Sequence, residues 1–121
     1  MFKLVRDKIP HMADHPERFT QLVLEQDEEN IAALLGEKLG EEVDEFLMEL
    51  NDDYPLSAIE EACDVLEVMT AIISIGYGIK REHVLDVINH AVKVKYEARG
   101  GFEEQWIMNL DSKSVYKPTK S

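Results

Sequence analysis

Apolar residues recur at helical spacing through three long stretches of this chain. From residue 27 to about residue 50, the positions Leu35, Leu39, Val43, Phe46, Leu47 and Leu50 form one stripe, wide enough to require a partner helix. Asp27 is placed to cap this helix, with Glu28 and Glu29 in the first turn, where the dipole favours negative charge. Residues 51–55, Asn-Asp-Asp-Tyr-Pro, read as a turn, with Asp53 or Ser57 as the cap of a second helix ending near Gly76. That helix is nearly continuous in hydrophobicity through Val65, Leu66, Val68, Met69, Ile72, Ile73 and Ile75, which predicts a central element contacted on several sides. A third helix is expected from Lys80 to about Ala98, carrying Val84, Leu85, Ile88, Ala91 and Val92, with Gly100 placed for its C-terminal cap.

The flanks are less regular. Residues 1–10 mix apolar and charged positions, and Pro10 disfavours helical geometry at Ile9, so an ordered arm or a single helical turn is expected. Residues 18–25 contain a β-leaning patch, Phe19, Thr20, Leu22, Val23 and Leu24. Beyond Phe102 an apolar patch at Trp106, Ile107, Met108 and Leu110 precedes a polar tail, residues 111–121, expected to fray. The fold class that follows is all-α: a bundle of three main helices with an N-terminal arm, in a single domain over residues 1–121. Three helices with an apolar central member leave more hydrophobic surface than one small subunit covers, so a homodimer or a dimer of dimers is expected.

Acids interrupt this pattern in two places. Glu41, Glu42 and Glu45 form EExxE and share an arc of about 100° on an ideal helix, and the line running from that arc toward the N-terminus holds Lys38, Leu34 and Ile31. Glu61 and Asp64 form ExxD in line with Val68, Ala71, Ile72 and Ile75, while Glu60, Glu67 and Ser74 occupy a separate polar side. An EExxE alone is usually a solvated acidic helix. Paired with an ExxD on an apolar stripe it reads differently, because buried carboxylates are costly unless a cation or a hydrogen-bond partner compensates them. An all-oxygen donor set points to a hard divalent ion, Mg2+ with Mn2+ as the alternative.

Composition narrows the partners. With 13 Lys and Arg against 25 Asp and Glu, the formal charge of −12 opposes non-specific attraction to nucleic acid or an anionic membrane, so neither is expected as a partner. The one cysteine, Cys63, excludes an internal disulfide, and the N-terminus lacks the apolar core of a signal peptide. The apolar run 65–75 is too short to cross a bilayer. A cytoplasmic protein is the expectation.

The ordered set LVRDKIP at residues 4–10, KLGEEVDE at 38–45, EEACDVLEV at 60–68 and KYEARGGF at 95–102 resembles the MazG-type all-α nucleoside triphosphate pyrophosphohydrolases. It is most similar to their small phosphoribosyl-ATP pyrophosphohydrolase-like members, over most of the chain up to about Leu110. The resemblance implies a helical bundle whose subunits pair around the carboxylates. Magnesium held there carries the triphosphate, and hydrolysis between the α and β phosphates releases a nucleoside monophosphate and pyrophosphate. Residue by residue, Glu41, Glu42, Glu45, Glu61 and Asp64 match the metal and catalytic positions. Lys95 and Arg99 match the basic end of the third helix near the phosphates, although compensation of the helix dipole also explains them. Arg6, Asp7 and Lys8 fall on the arm, with phosphate or neighbouring-subunit contact as the implied role. Lys38 is either a further substrate cation or the partner of Glu41 or Glu42. Gly40, a poor helix former, sits just before the acids.

Such chemistry needs charge neutralisation and alignment rather than a covalent nucleophile, and Cys63 has no activating histidine in view. Which carboxylate acts as the base does not follow from spacing. The implied activity is house-cleaning hydrolysis of unwanted nucleoside triphosphates; the alternative is phosphoribosyl-ATP pyrophosphohydrolase activity in histidine biosynthesis. A reading of another class is a non-catalytic acidic helical dimer that binds divalent ions or a protein partner. A di-iron carboxylate bundle is set aside because the chain contains no Glu-x-x-His pair.

Overall fold

Prolines and glycines punctuate the chain where its helices begin and end. The computed structural model describes residues 2–51, 53–111 and 116–118. Among these it places α1 (Ile9–Met12), a 3-10 turn at Pro16–Arg18, α2 (Leu24–Glu49), α3 (Pro55–Tyr77) and α4 (Arg81–Arg99). The described residues contain no strand, so the chain is all-α. The β-leaning patch is corrected: residues 19–23 are extended but unpaired, and Leu24 already belongs to α2. Most of the expected frayed tail, residues 112–115 and 119–121, lies outside the described residues.

Each long helix shows why its ends fall where they do. α2 begins at Leu24, and Asp27 leaves helical geometry (φ −117, ψ 23) while its carboxylate accepts the Val23 N–H at 3.0 Å. Asp27 therefore marks a kink and reaches back to the preceding chain, rather than capping a helix that begins after it. Neither Asp53 nor Ser57 caps α3. Its start is set by Pro55 at the first helical position, where a missing N–H costs nothing, after an extended Tyr54 (φ −104, ψ 100). α3 passes through Gly76 and stops at Gly78, whose left-handed conformation (φ 66) turns its N–H and that of Ile79 onto the Ser74 carbonyl. Gly100 ends α4 in the same way (φ 75), donating to the Tyr96 carbonyl at 2.8 Å. The helix runs through Gly40 without a break.

Backbone contacts divide the chain into two compact units, Met1–Val87 and Ile88–Ser121, with the boundary inside α4. In the first unit α2 and α3, joined by a short turn, pack along each other as a helical hairpin. The first turn of α4 is tied to α3 by a two-pronged ion pair, Arg81 Nη2 to Glu67 Oε1 at 2.6 Å and Arg81 Nε to Glu67 Oε2 at 3.0 Å. Glu67 is thus not on a purely water-facing side. Its carboxyl is held below the ordinary value, first by the hydrogen bond from Arg81.

Leu35 (8% exposed) and Val84 (3%) are the buried apolar side chains of the described residues, and Thr70 is fully enclosed, its hydroxyl donating to the Leu66 carbonyl at 2.7 Å. Leu47 and Leu50 of the expected stripe, and Leu56 and Ile59 of α3, remain more than half exposed. In the second unit the rest of α4 leads through Gly100 into a loop where Tyr96 Oη donates to Glu103 Oε1 at 3.2 Å. Phe102, Trp106, Met108 and Leu110 there are largely exposed. No single helix among the described residues is long and apolar enough to cross a membrane.

Leu35→Ala is expected to destabilise the protein by about 2–3 kcal/mol, the lower part of the usual range for a leucine truncated in a thin core. Thr70→Val removes only a hydroxyl bonded within its own helix and is expected to change stability by less than about 1 kcal/mol. Urea denaturation of the two variants measures the contrast.

Candidate metal centre

Glu45 lies three and four residues after Glu42 and Glu41 on α2, and Asp64 three after Glu61 on α3, spacings that bring side chains to neighbouring positions on one face of each helix. Pairing of α2 with α3 turns those two faces toward one another. The result is two groups of carboxylates that share a member: Glu41, Glu42 and Glu45 in one, and Glu42, Glu61 and Asp64 in the other. Within each group one oxygen per residue lies within 4.8 Å of the others. Oxygens on opposite sides of an octahedral magnesium shell are separated by about 4 Å, so a small contraction brings either group onto one ion.

Glu42 is the hinge of the arrangement. It is 7% exposed, its Oε1 lies 3.1 Å from Lys38 Nζ, and its Oε2 is enclosed with no hydrogen-bond partner. Glu61 Oε2 is in the same condition. Two sheltered carboxylate oxygens without donors are costly, and the donors that reach the cluster all sit on other atoms. Lys38 Nζ is 3.4 Å from Glu41 Oε1 as well, so the pairing of Lys38 with its neighbours one turn on is present. Two cations come from the arm: Lys3 Nζ lies 2.8 Å from Glu41 Oε1, and Arg6 Nη2 donates to Asp64 Oδ1 at 2.5 Å.

Electrostatics divides the acids. Glu41 is held below the ordinary carboxyl value, chiefly by the hydrogen bond from Lys3, and the same contact raises the Lys3 ammonium. Glu61 is pushed the other way: removal from water raises its carboxyl, and the charges of Glu45, Asp64 and Glu42 raise it further. The donor set is entirely hard oxygen, and it contains two inward-facing atoms that nothing satisfies, so the residues fit a magnesium or manganese ion.

The other expected residues distribute as follows. Arg6 is engaged with Asp64 and stands 4.0 Å from Glu67. Asp7 and Lys8 are exposed in the turn before α1. Lys95 and Arg99 lie one turn apart on the part of α4 that belongs to the second unit, both exposed. Lys3 was not among the expected site residues; the signal was the concentration of basic residues at positions 3, 6 and 8 of an otherwise acidic chain. A scan against protein-family models and searches of the curated proteins and of the solved structures find no match to this chain. The family resemblance therefore rests on the quoted motifs.

The raised Glu61 carboxyl has a definite sign. In the metal-free protein the folded state holds the proton more tightly than the unfolded chain, so stability falls as pH rises from the ordinary carboxyl value through the folded one, and the penalty is complete above it. Glu61→Gln removes that penalty. Its melting temperature without metal at pH 7 is expected to exceed the wild type's, while the stabilisation conferred by added Mg2+ shrinks; differential scanning calorimetry with and without the ion reads both.

Proposed function

We propose that this chain is a magnesium-dependent nucleotide pyrophosphohydrolase of the MazG type. It cleaves a nucleoside triphosphate between the α and β phosphates to a nucleoside monophosphate and pyrophosphate. The observation that carries this reading is the enclosed, unpartnered Glu42 Oε2 at the junction of two carboxylate groups. A solvated acidic helix has no reason to bury such an atom, whereas a cation-binding one does. The order of the motifs along the chain, from the arm through EExxE and ExxD to the basic end of α4, supports the same assignment.

In this reading Glu41, Glu42, Glu45, Glu61 and Asp64 hold the metal. Bound magnesium supplies charge neutralisation on the polyphosphate and acidifies water. The chain's own residues do the rest. The carboxylates would hold the ion against which the polyphosphate is placed, and water activated by the metal, a carboxylate or both would attack the α-phosphorus as its bond to the α–β bridging oxygen breaks and pyrophosphate leaves. Lys95 and Arg99, by resemblance, receive phosphate oxygens. Lys38 keeps Glu41 and Glu42 in place from the preceding turn.

The exposed apolar side chains of α2 and α3 support an oligomer. Leu47, Leu50, Leu56 and Ile59 are more than half exposed, and a second copy that covers them completes the helical bundle as a homodimer or a dimer of dimers. The lone cysteine suits a cytoplasmic enzyme.

Glu42→Gln and Asp64→Asn, each verified as folded by circular dichroism, are expected to lower Mg2+-dependent pyrophosphate release by about a hundredfold or more. The assay is a nucleotide panel that includes phosphoribosyl-ATP, with products identified. Wild-type rates in both variants refute the assignment, and no release from any nucleotide by the wild type favours a non-catalytic binding protein. Sedimentation equilibrium at micromolar concentration is expected to return a dimer or tetramer; a monomer contradicts the oligomer.

A further inference from the structure

The N-terminal arm meets the acid cluster through one cation on each helix. Lys3 reaches Glu41 on α2 and Arg6 reaches Asp64 on α3, at 2.8 and 2.5 Å. We propose that Lys3 and Arg6 are resident counter-cations of the metal centre, and that a divalent ion enters by displacing both. The inference rests on the metal-binding part of the function proposed above and adds how the ion gains access.

Four features of the contact carry it. First, the charges match. Against five carboxylates stand Lys38, Lys3 and Arg6, so exchanging the two arm cations for one dication leaves the charge of the cluster unchanged. Second, the arm is weakly held. The Lys3 and Arg6 side chains are 59% and 56% exposed even while paired, and Phe2 and Val5 beside them are exposed too, so the ion pairs are of the exchangeable, salt-sensitive kind. Lys38 differs: it is 17% exposed and fixed on α2 one turn before its partners, and it stays.

Third, the arm does not complete the site. Its cations reach Glu41 Oε1 and Asp64 Oδ1, and the enclosed Glu42 Oε2 and Glu61 Oε2 remain without partners. An ion settling on those inner oxygens shares its group with Asp64, which Arg6 engages, and Glu42 joins that group to the one containing Glu41, which Lys3 engages; cations so close repel the ion. Fourth, Arg6 has a second acid to keep. Glu67 Oε1 lies 4.0 Å from Arg6 Nη1 and is itself paired with Arg81. On leaving Asp64, Arg6 is retained beside Glu67, at the edge of a hollow of about 320 Å³ lined by Arg6, Cys63, Leu66, Glu67, Arg81 and Leu85. There it remains next to the cluster.

The test is calorimetric titration of Mg2+ into the full chain at low ionic strength, for the wild type, Lys3→Gln, Arg6→Gln and the double variant, with no nucleotide present. Each single variant is expected to bind the ion about three- to fivefold more tightly and the double variant about tenfold more tightly. Tryptic cleavage after Lys3 and Arg6 in the wild type, which needs no variant to fold, is expected to speed up on saturation with Mg2+, because both side chains are then released from their carboxylates. Unchanged or weaker affinity in the double variant, or an arm cleaved equally fast with and without the ion, overturns the proposal while leaving the metal centre standing. Absence of binding in every form overturns both; binding by the double variant alone establishes the latch.

Discussion

A carboxylate enclosed among carboxylates is the constraint around which the first unit is organised. Pairing α2 with α3 brings Glu42 into contact range of acids from both helices, and the more closely the hairpin packs, the greater the repulsion it must offset. The neighbouring basic residues are placed accordingly. Lys38 answers from within α2, while Lys3 and Arg6 answer from a segment distant in sequence. Without those three charges the hairpin would close on five negative groups. With them it closes on an imbalance of two, concentrated on oxygens that face inward.

What the sequence revealed, and what it concealed, follows from the range of each interaction. Helical spacing is local, so the three long helices and the convergence of acids within each were legible from periodicity alone. That EExxE and ExxD belong together was suggested by the ExxD on the apolar stripe of its helix and by Leu34 and Ile31 on the line beside EExxE. The arm's contacts were not legible: Arg6 and Asp64 are separated by 58 positions, and no local pattern encodes that pairing. Helix ends were misplaced by a few residues wherever a polar side chain was credited with a capping role that backbone geometry filled instead. Tyr54–Pro55 and Gly78 do by fixed or permissive φ what Asp53, Ser57 and Gly76 were expected to do.

The second helix shows a subtler misreading. Its polar side, judged by Glu60, Glu67 and Ser74, was expected to face water. In the structure Glu67 is tied to Arg81 and approached by Arg6, and the Ser74 hydroxyl donates to the Ile79 carbonyl. Thr70, which belongs to that side, is the most enclosed residue described. Binary patterning assigns polar residues to solvent; here the side that is polar in sequence is instead the seam along which the arm and the start of α4 attach to the hairpin.

The distribution of burial gives this arrangement its meaning. Of the four buried residues among those described, Leu35 and Val84 are apolar while Thr70 and Glu42 are not, a proportion that a chain selected for stability alone would not adopt. Thr70 is inexpensive, since its own helix satisfies it. Glu42 is not, because one oxygen is left enclosed without a donor. Large hydrophobic residues meanwhile remain uncovered along α2 and α3. The chain thus devotes its limited enclosed volume to placing charge and leaves greasy surface outside, an inversion of the usual order that is intelligible if the charge is there to receive a cation and the surface is there to receive another chain.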